Sequence, residues 1–265
     1  MFIFLKIKQN KLINSWSIII VITINFFFTT GIYAAHPLIT EDTGTQGKGK
    51  MQIELNGEHN RDKEDGVTEK NTQIAGIFTY GLTDNLDIIT GIPYLFACTR
   101  SEGDTTKEKG ISDASFGVKW RFYEEKKFSF ALKPEVSLPA GDHEKGLGSG
   151  KPGYSGFFVT TFNFELFSFH FHTGYIRNEN KLEEEKNLWH ISAACEYRLW
   201  ENLRIIADAG INKNTDPDAD ENPAFILGGI IYSVRENIDL DAGLKYGLNK
   251  PETDYSILAG IAIRI

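Results

Sequence analysis

After His36 the chain alternates apolar with polar or charged residues, in segments of about ten residues. In the last of them, Tyr255, Ile257, Ala259, Ile261, Ile263 and Ile265 fall on one face. Ser256, Leu258, Gly260, Ala262 and Arg264 fall on the other. Strand side chains alternate with period two, so one face can meet an apolar medium while the other meets water or charge. Twelve such segments are predicted, over 50–59, 71–80, 86–94, 110–122, 127–138, 154–164, 168–176, 187–199, 203–211, 224–234, 238–248 and 255–265. Segments 154–164 and 224–234 are apolar on both faces (Phe157-Phe158-Val159 and Phe225-Ile226-Leu227), so their facing stays open.

The connections alternate as strictly as the side chains. Tight turns follow every second segment, at Thr83-Asp84-Asn85, Glu124-Glu125, Glu165-Leu166-Phe167, Glu201-Asn202 and Glu236-Asn237. Long polar connections separate the others, over 60–70, 95–109, 139–153, 177–186, 212–223 and 249–254. Grading of loops by side is the mark of a transmembrane up-and-down antiparallel β-barrel of about 12 strands, an all-β fold with both termini on the short-turn side. A soluble sandwich has no reason to sort its loops this way. Three turns share a phrase ending in acid–Asn–aliphatic: Tyr80-Gly-Leu-Thr-Asp-Asn-Leu, Tyr197-Arg-Leu-Trp-Glu-Asn-Leu and Tyr232-Ser-Val-Arg-Glu-Asn-Ile. Asp and Asn suit tight turns because their side chains bond nearby backbone groups. Tyr80, Tyr94, Trp120, Phe122, Tyr123, Tyr197, Trp200, Tyr232, Tyr246 and Tyr255 gather near segment ends, where headgroup girdles would need them.

The N-terminus adds a compartment. Lys6, Lys8 and Lys11 precede an apolar run from Leu12 to Phe28 and the small pair Ala34-Ala35. This is the pattern of a secretory signal peptide over 1–35, cut after Ala35, with an uncleaved helical anchor as the alternative. The expected destination is the bacterial outer membrane, with the barrel over 36–265. Removing the three leader lysines takes the formal charge from −8 to −11, which argues against nucleic acid as a partner. The expected partners are outer-membrane lipid and lipopolysaccharide, an unidentified small-molecule solute and the barrel-assembly machinery. Cys98 and Cys195 match no metal spacing and are expected to be small apolar fillers rather than a disulfide.

Several phrases resemble a known family. His36-Pro-Leu-Ile-Thr-Glu-Asp-Thr-Gly-Thr-Gln-Gly-Lys-Gly-Lys-Met-Gln-Ile-Glu resembles the mature start of the phenol-degradation meta-pathway outer-membrane proteins, often described as transporters. Tyr80-Gly-Leu-Thr-Asp-Asn-Leu-Asp, Gly110-Ile-Ser-Asp-Ala-Ser-Phe-Gly-Val-Lys-Trp-Arg-Phe, Leu138-Pro-Ala-Gly-Asp and Gly146-Leu-Gly-Ser-Gly are similar too. The resemblance implies an outer-membrane barrel that passes small, including aromatic or hydrophobic, molecules.

A charge facing lipid near the midplane costs about 2–4 kcal/mol, so the charged faces belong inside. The candidate lumen-lining residues are Glu54, Glu58, Asp87, Asp113, Lys119, Arg121, Lys133, Glu135, Glu196, Arg198, Arg204, Asp208, Asp239, Asp241, Lys245 and Arg264. His170, His172 and His190 join them. Such mixed signs either form ladders that fill a small barrel or line a narrow path. Alternating histidines can bind metal, yet polar lining is the simpler account, because no carboxylate or cysteine ligand spacing accompanies them. No cofactor or metal is expected. Ser168 near His170 and Ser192 near His190 offer a hydrolase pair, but no Gly-x-Ser-x-Gly elbow supports one, and no catalytic residue is assigned. The expected function is a narrow channel or passive transporter. A structural or surface-interaction barrel without conduction is the alternative, and a lipid hydrolase ranks below both.

Overall fold

The computed structural model describes residues 36–64, 66–101 and 104–265; the expected leader over 1–35 lies outside the described residues. Its strands are β1 (Met51–Glu64), β2 (Val67–Thr83), β3 (Leu86–Ser101), β4 (Asp104–Ile111), β5 (Ala114–Glu124), β6 (Phe128–Leu138) and β7 (Gly153–Asn163). β8 (Phe167–Arg177), β9 (Asn187–Trp200), β10 (Leu203–Asn212), β11 (Ala224–Arg235), β12 (Ile238–Gly247) and β13 (Tyr255–Arg264) complete them. Neighbours in sequence pair antiparallel, and β1 pairs with both β2 and β13, so the sheet closes on itself. β4 and β5 both pair with β3 and form one interrupted wall strand, which makes a closed barrel of twelve. Closure pairs both edges of every strand but β4, which pairs with β3 alone; a closed ladder is the condition for strands to cross lipid.

The interruption has a local cause. Pro93 on β3 carries no N–H, so it cannot complete the ladder with the strand beside it. Opposite it the chain breaks at Ser112-Asp113, where the Ser112 N–H donates to the Pro93 carbonyl at 2.9 Å. Asp113 lies at this break. Its carboxylate accepts from Gly141 N, Ser149 N and Ser149 Oγ, and so holds the 139–152 loop.

The tight turns stand where the pattern puts them, and the recurrent asparagines explain their phrase. The carbonyls of Asn85, Asn202 and Asn237 accept from Arg121, Ser233 and Arg264 respectively, each on the next strand along the wall. Asn85 and Asn237 also donate through Nδ2 to the Arg121 and Arg264 carbonyls. The motif stitches one hairpin to the next. Two of the long connections are not the open loops expected. Residues 60–64 and 67–70 stay paired, as do 95–101 and 104–109, so two polar hairpins extend beyond the wall. Beyond lipid a strand needs no apolar face, so period-two hydrophobicity fades while the backbone ladder continues.

Outside and inside are cleanly divided. Ile53, Leu55, Leu240, Leu244, Ile257 and Trp200 are exposed on the outer face, while Asp208, Asp239, Asp241 and Ser256 are buried within. Outward aromatics mark both rims: Tyr80, Trp120, Trp200 and Tyr232 at the short-turn end, and Tyr94, Tyr154, Tyr175 and Tyr246 at the other. On β9, Trp189 and Leu199 face outward at opposite ends. Ten residues at about 3.3 Å each, tilted by about 40°, span a height of about 25 Å, matching the apolar band of an outer-membrane barrel. Phe225, Leu227 and Ile231 of β11 face inward, which settles the two-sided segment and gives the lumen an apolar patch. Phe157 on β7 also faces the lumen, against His172.

Candidate functional site

The lumen is occupied by the chain itself. Residues 36–46, just before β1, lie across the barrel interior, and Thr40, Asp42, Thr43 and Thr45 are buried there. The return into β1 is tight. Gly47 and Gly49 take left-handed φ of 86° and 79°, the region that favours glycine. Gly81 lies beneath them, where a Cβ would stand 1.9 Å from the Gly47 carbonyl oxygen. Gly49 N–H donates to the Gly81 carbonyl, and Gly81 N–H to that of Lys50, which clamps the segment to β2.

Ordering a backbone costs about 1–2 kcal/mol per residue, so a seated segment needs many partners. Asp208 accepts from the N–H groups of Ile39 and Thr40, both at 2.8 Å, and from Thr40 Oγ1 at 2.6 Å. Glu41 bridges Lys119 and Lys133, each at 2.6 Å, and Lys119 also lies 3.4 Å from Asp42. His36 Nδ1 meets Asp241 at 2.6 Å. Asp87 accepts from Gln46 N, and Thr43 bonds Thr161 and Ser129. Leu38 and Ile39 pack on the inward patch of Ile206, Phe225, Leu227, Ile231 and Leu258. Burial pushes the Glu41 carboxyl up, but the two lysines outweigh it and hold the group well below the usual carboxylate range. Burial dominates at Asp42 and pushes that carboxyl up, offset in part by Lys119.

The wall on the far side of the lumen carries an ion-pair ladder. Arg204 links Glu196 at 2.9 Å and Asp239 at 3.2 Å, and Asp239 takes Arg264 at 2.7 Å. His170 adds a contact to Glu196 at 3.3 Å, with both side chains almost fully buried. Arg198 lies opposite Arg204 in the ladder of β9 and β10, near the tight turns. Arg121 sits at the same end, its guanidinium donating to the Asp84 carbonyl. Lys245 stands toward the long-loop end, 3.1 Å from Glu252 and 3.7 Å from Glu58. His172 and His190 pack 4.9 Å apart. The first sequence reading of the mixed charges, a ladder that fills the barrel, describes this wall.

Beside β1, β2, β3, β5 and β6 a cavity of about 330 Å³ separates the segment from the wall, bordered by Glu54, Glu58, Asp87, Lys119, Lys133 and Glu135 among others. The segment is therefore eccentric: it fills the β8–β13 side and leaves space on the other. Sequence reasoning quoted residues 36–46 as a family phrase but gave them no place in the lumen. The available signal was a polar, threonine-rich stretch between leader and first strand with no alternation of its own.

Two chemical alternatives meet their geometry here. Ser192 Oγ lies 2.8 Å from His190 Nε2, whose Nδ1 reaches Asn212 Oδ1, the outline of a nucleophile, base and orienting group. Thr40 covers Ser192 at 2.8 Å, and the surrounding strand pairs with β8 and β10 along its length, so no backbone N–H pair is displayed as an oxyanion hole. Ser168 instead donates to Asn163. Among the described residues no group of three or more His, Cys, Asp or Glu side chains is placed to hold one metal ion. Cys98 and Cys195 are both free.

The family "Putative MetA-pathway of phenol degradation" matches residues 34–265. The chain belongs to that family. No curated protein matches it. Among solved structures it is similar to the COG4313 outer membrane channel from Pseudomonas putida F1, with a TM-score of 0.66 and 14% identity over 90% of this chain and 100% of that one. It is also similar to the β domain of the Bordetella autotransporter BrkA, at TM-score 0.54 and 10% identity, over 82% of this chain and 99% of the other. The KdgM porin follows at TM-score 0.51 and 8% identity, covering 80% and 98%. At such identities these likenesses establish the fold, that of bacterial outer-membrane barrels.

Proposed function

We propose that the protein is a narrow channel or passive transporter for small molecules in the bacterial outer membrane, exported with a leader over 1–35 that is removed. The observation that carries the reading is the cavity of about 330 Å³ left between the lumenal segment and the β1–β6 wall. A barrel built only as a scaffold has no need to keep polar space along one side of its filling. The likeness to the Pseudomonas putida outer membrane channel favours passage, and the family's link to phenol degradation favours aromatic solutes. On this reading the tight turns face the periplasm and the long loops meet lipopolysaccharide, after insertion by the barrel-assembly machinery. The chain is not an enzyme on this reading, since the Ser192–His190–Asn212 group is sealed by Thr40.

The dense tethering of residues 36–46 favours a second reading, a barrel without conduction whose loops hold a surface partner. Planar-bilayer recording and liposome swelling with refolded protein decide between them. Discrete conductance steps and faster entry of small solutes are expected. Folded protein that yields neither refutes transport.

A further inference from the structure

We propose that the passage beside the lumenal segment selects cations, inorganic or ammonium-bearing, over anions; this rests on the conducting reading above. Six carboxylates border the cavity against two lysines. Both lysines are already engaged by Glu41, on the segment side. The opposite wall therefore presents carboxylates with little compensation. Glu54 is held by the amides of Gln52 and Asn56, not by a cation. Among the described residues Glu135 has no ion-pair partner, and Glu58 has Lys245 alone, at 3.7 Å and shared with Glu252.

A second observation points the same way. Asp87 is 1% exposed and borders the cavity; one carboxylate oxygen accepts from Gln46 N, and the other has no hydrogen-bond donor. Asn56 Oδ1, on the same lining, is also buried without a donor. Both atoms are acceptors. A buried acceptor left unsatisfied costs about 1–3 kcal/mol, and an ammonium or a hydrated cation supplies what both lack. The lining thus favours solutes that bring donors and positive charge, and disfavours carboxylates and phosphates.

Scale decides whether the charges can act. A sphere of 330 Å³ is about 9 Å across, close to the Debye length of about 8 Å at physiological ionic strength. Lining charges within that distance are not screened from a permeating ion, and low-dielectric walls focus their field.

The test is the reversal potential across planar bilayers under a tenfold KCl gradient. Potassium is expected to permeate at least about threefold better than chloride. The Glu54→Gln, Glu135→Gln double variant should lose at least half of that preference at unchanged fold. Should that variant fail to insert, the wild-type protein still decides: its selectivity must weaken between 0.1 and 1 M salt, as the Debye length falls from about 10 to 3 Å. Conductance that favours chloride, or a preference untouched by both the variant and salt, overturns the inference and leaves transport standing. Absence of any conductance overturns both.

Discussion

Releasing the lumenal segment should widen the pore by an amount that the barrel geometry sets. The perturbation is Glu41→Ala combined with Asp208→Ala. Together they remove the two lysine contacts of Glu41 and the three hydrogen bonds that Asp208 accepts from Ile39 and Thr40. Each bond to a charged group contributes about 1.5–3 kcal/mol, and breaking a buried pair typically costs about 3–5 kcal/mol. A loss of even 5 kcal/mol shifts the seated-to-released ratio by nearly four orders of magnitude, about 10⁴-fold. The wall should stand, because its ladders do not run through the segment. Twelve strands about 4.8 Å apart and tilted by about 40° give a backbone radius of about 12 Å. A side-chain layer of about 5 Å leaves a lumen of about 7 Å radius, or about 150 Å² in section. The cavity of 330 Å³ is the space open to water centres; taken as a sphere and widened by the water radius of about 1.4 Å, it offers about 100 Å². Single-channel conductance should therefore rise about 1.5-fold, with frequent long openings. Heat-modifiable gel mobility reports that the barrel is folded. A folded double variant with wild-type conductance and open times would refute the claim that these two carboxylates seat the segment.

Gly81→Ala should unseat the same segment from its other end, since its Cβ would collide with the Gly47 backbone rather than with a movable side chain. Its expected signature is protease cleavage within 36–50 of the folded barrel, where the wild-type protein resists. Arg204→Ala leaves Glu196 and Asp239 buried without one of their cations. A loss of about 3–5 kcal/mol should appear as a lower unfolding temperature in the gel-mobility assay. The pH response follows from Glu41. Its carboxyl is held below the ordinary value near 4.5 when seated, so its contribution is complete above that value and fades as pH falls well below it. Glu41's contribution to closure should thus be flat from pH 7 to 4.5 and fade only under stronger acid, and Glu41→Gln should show a smaller acid-induced rise in opening than the wild-type protein.

Much of the architecture was legible in order along the chain. Period-two alternation locates each strand because lipid excludes charge from one face and the lumen tolerates it on the other, a local rule that needs no knowledge of neighbours. The tight turns were legible for the same reason, since Asp and Asn act within a few residues. Where lipid no longer acts, the rule fails: the stretches 60–70 and 95–109 read as loops, yet 60–64 pair with 67–70 and 95–101 with 104–109. The break of the wall strand at Ser112-Asp113 was not legible either, because the proline it answers, Pro93, belongs to the partner strand.

The sequence by itself therefore determined a wall: strand positions, the facing of most side chains and the end that carries the tight turns. Only the tertiary structure decided what fills it. Asp208 and the Ile39 amide that it accepts from are 169 residues apart, and His36 and Asp241 are 205 apart; nothing local in a carboxylate reveals whether it will meet a lysine, a backbone amide or water. Closure of the sheet brings these groups within reach of one short segment. Its seating against one wall leaves polar space at the other.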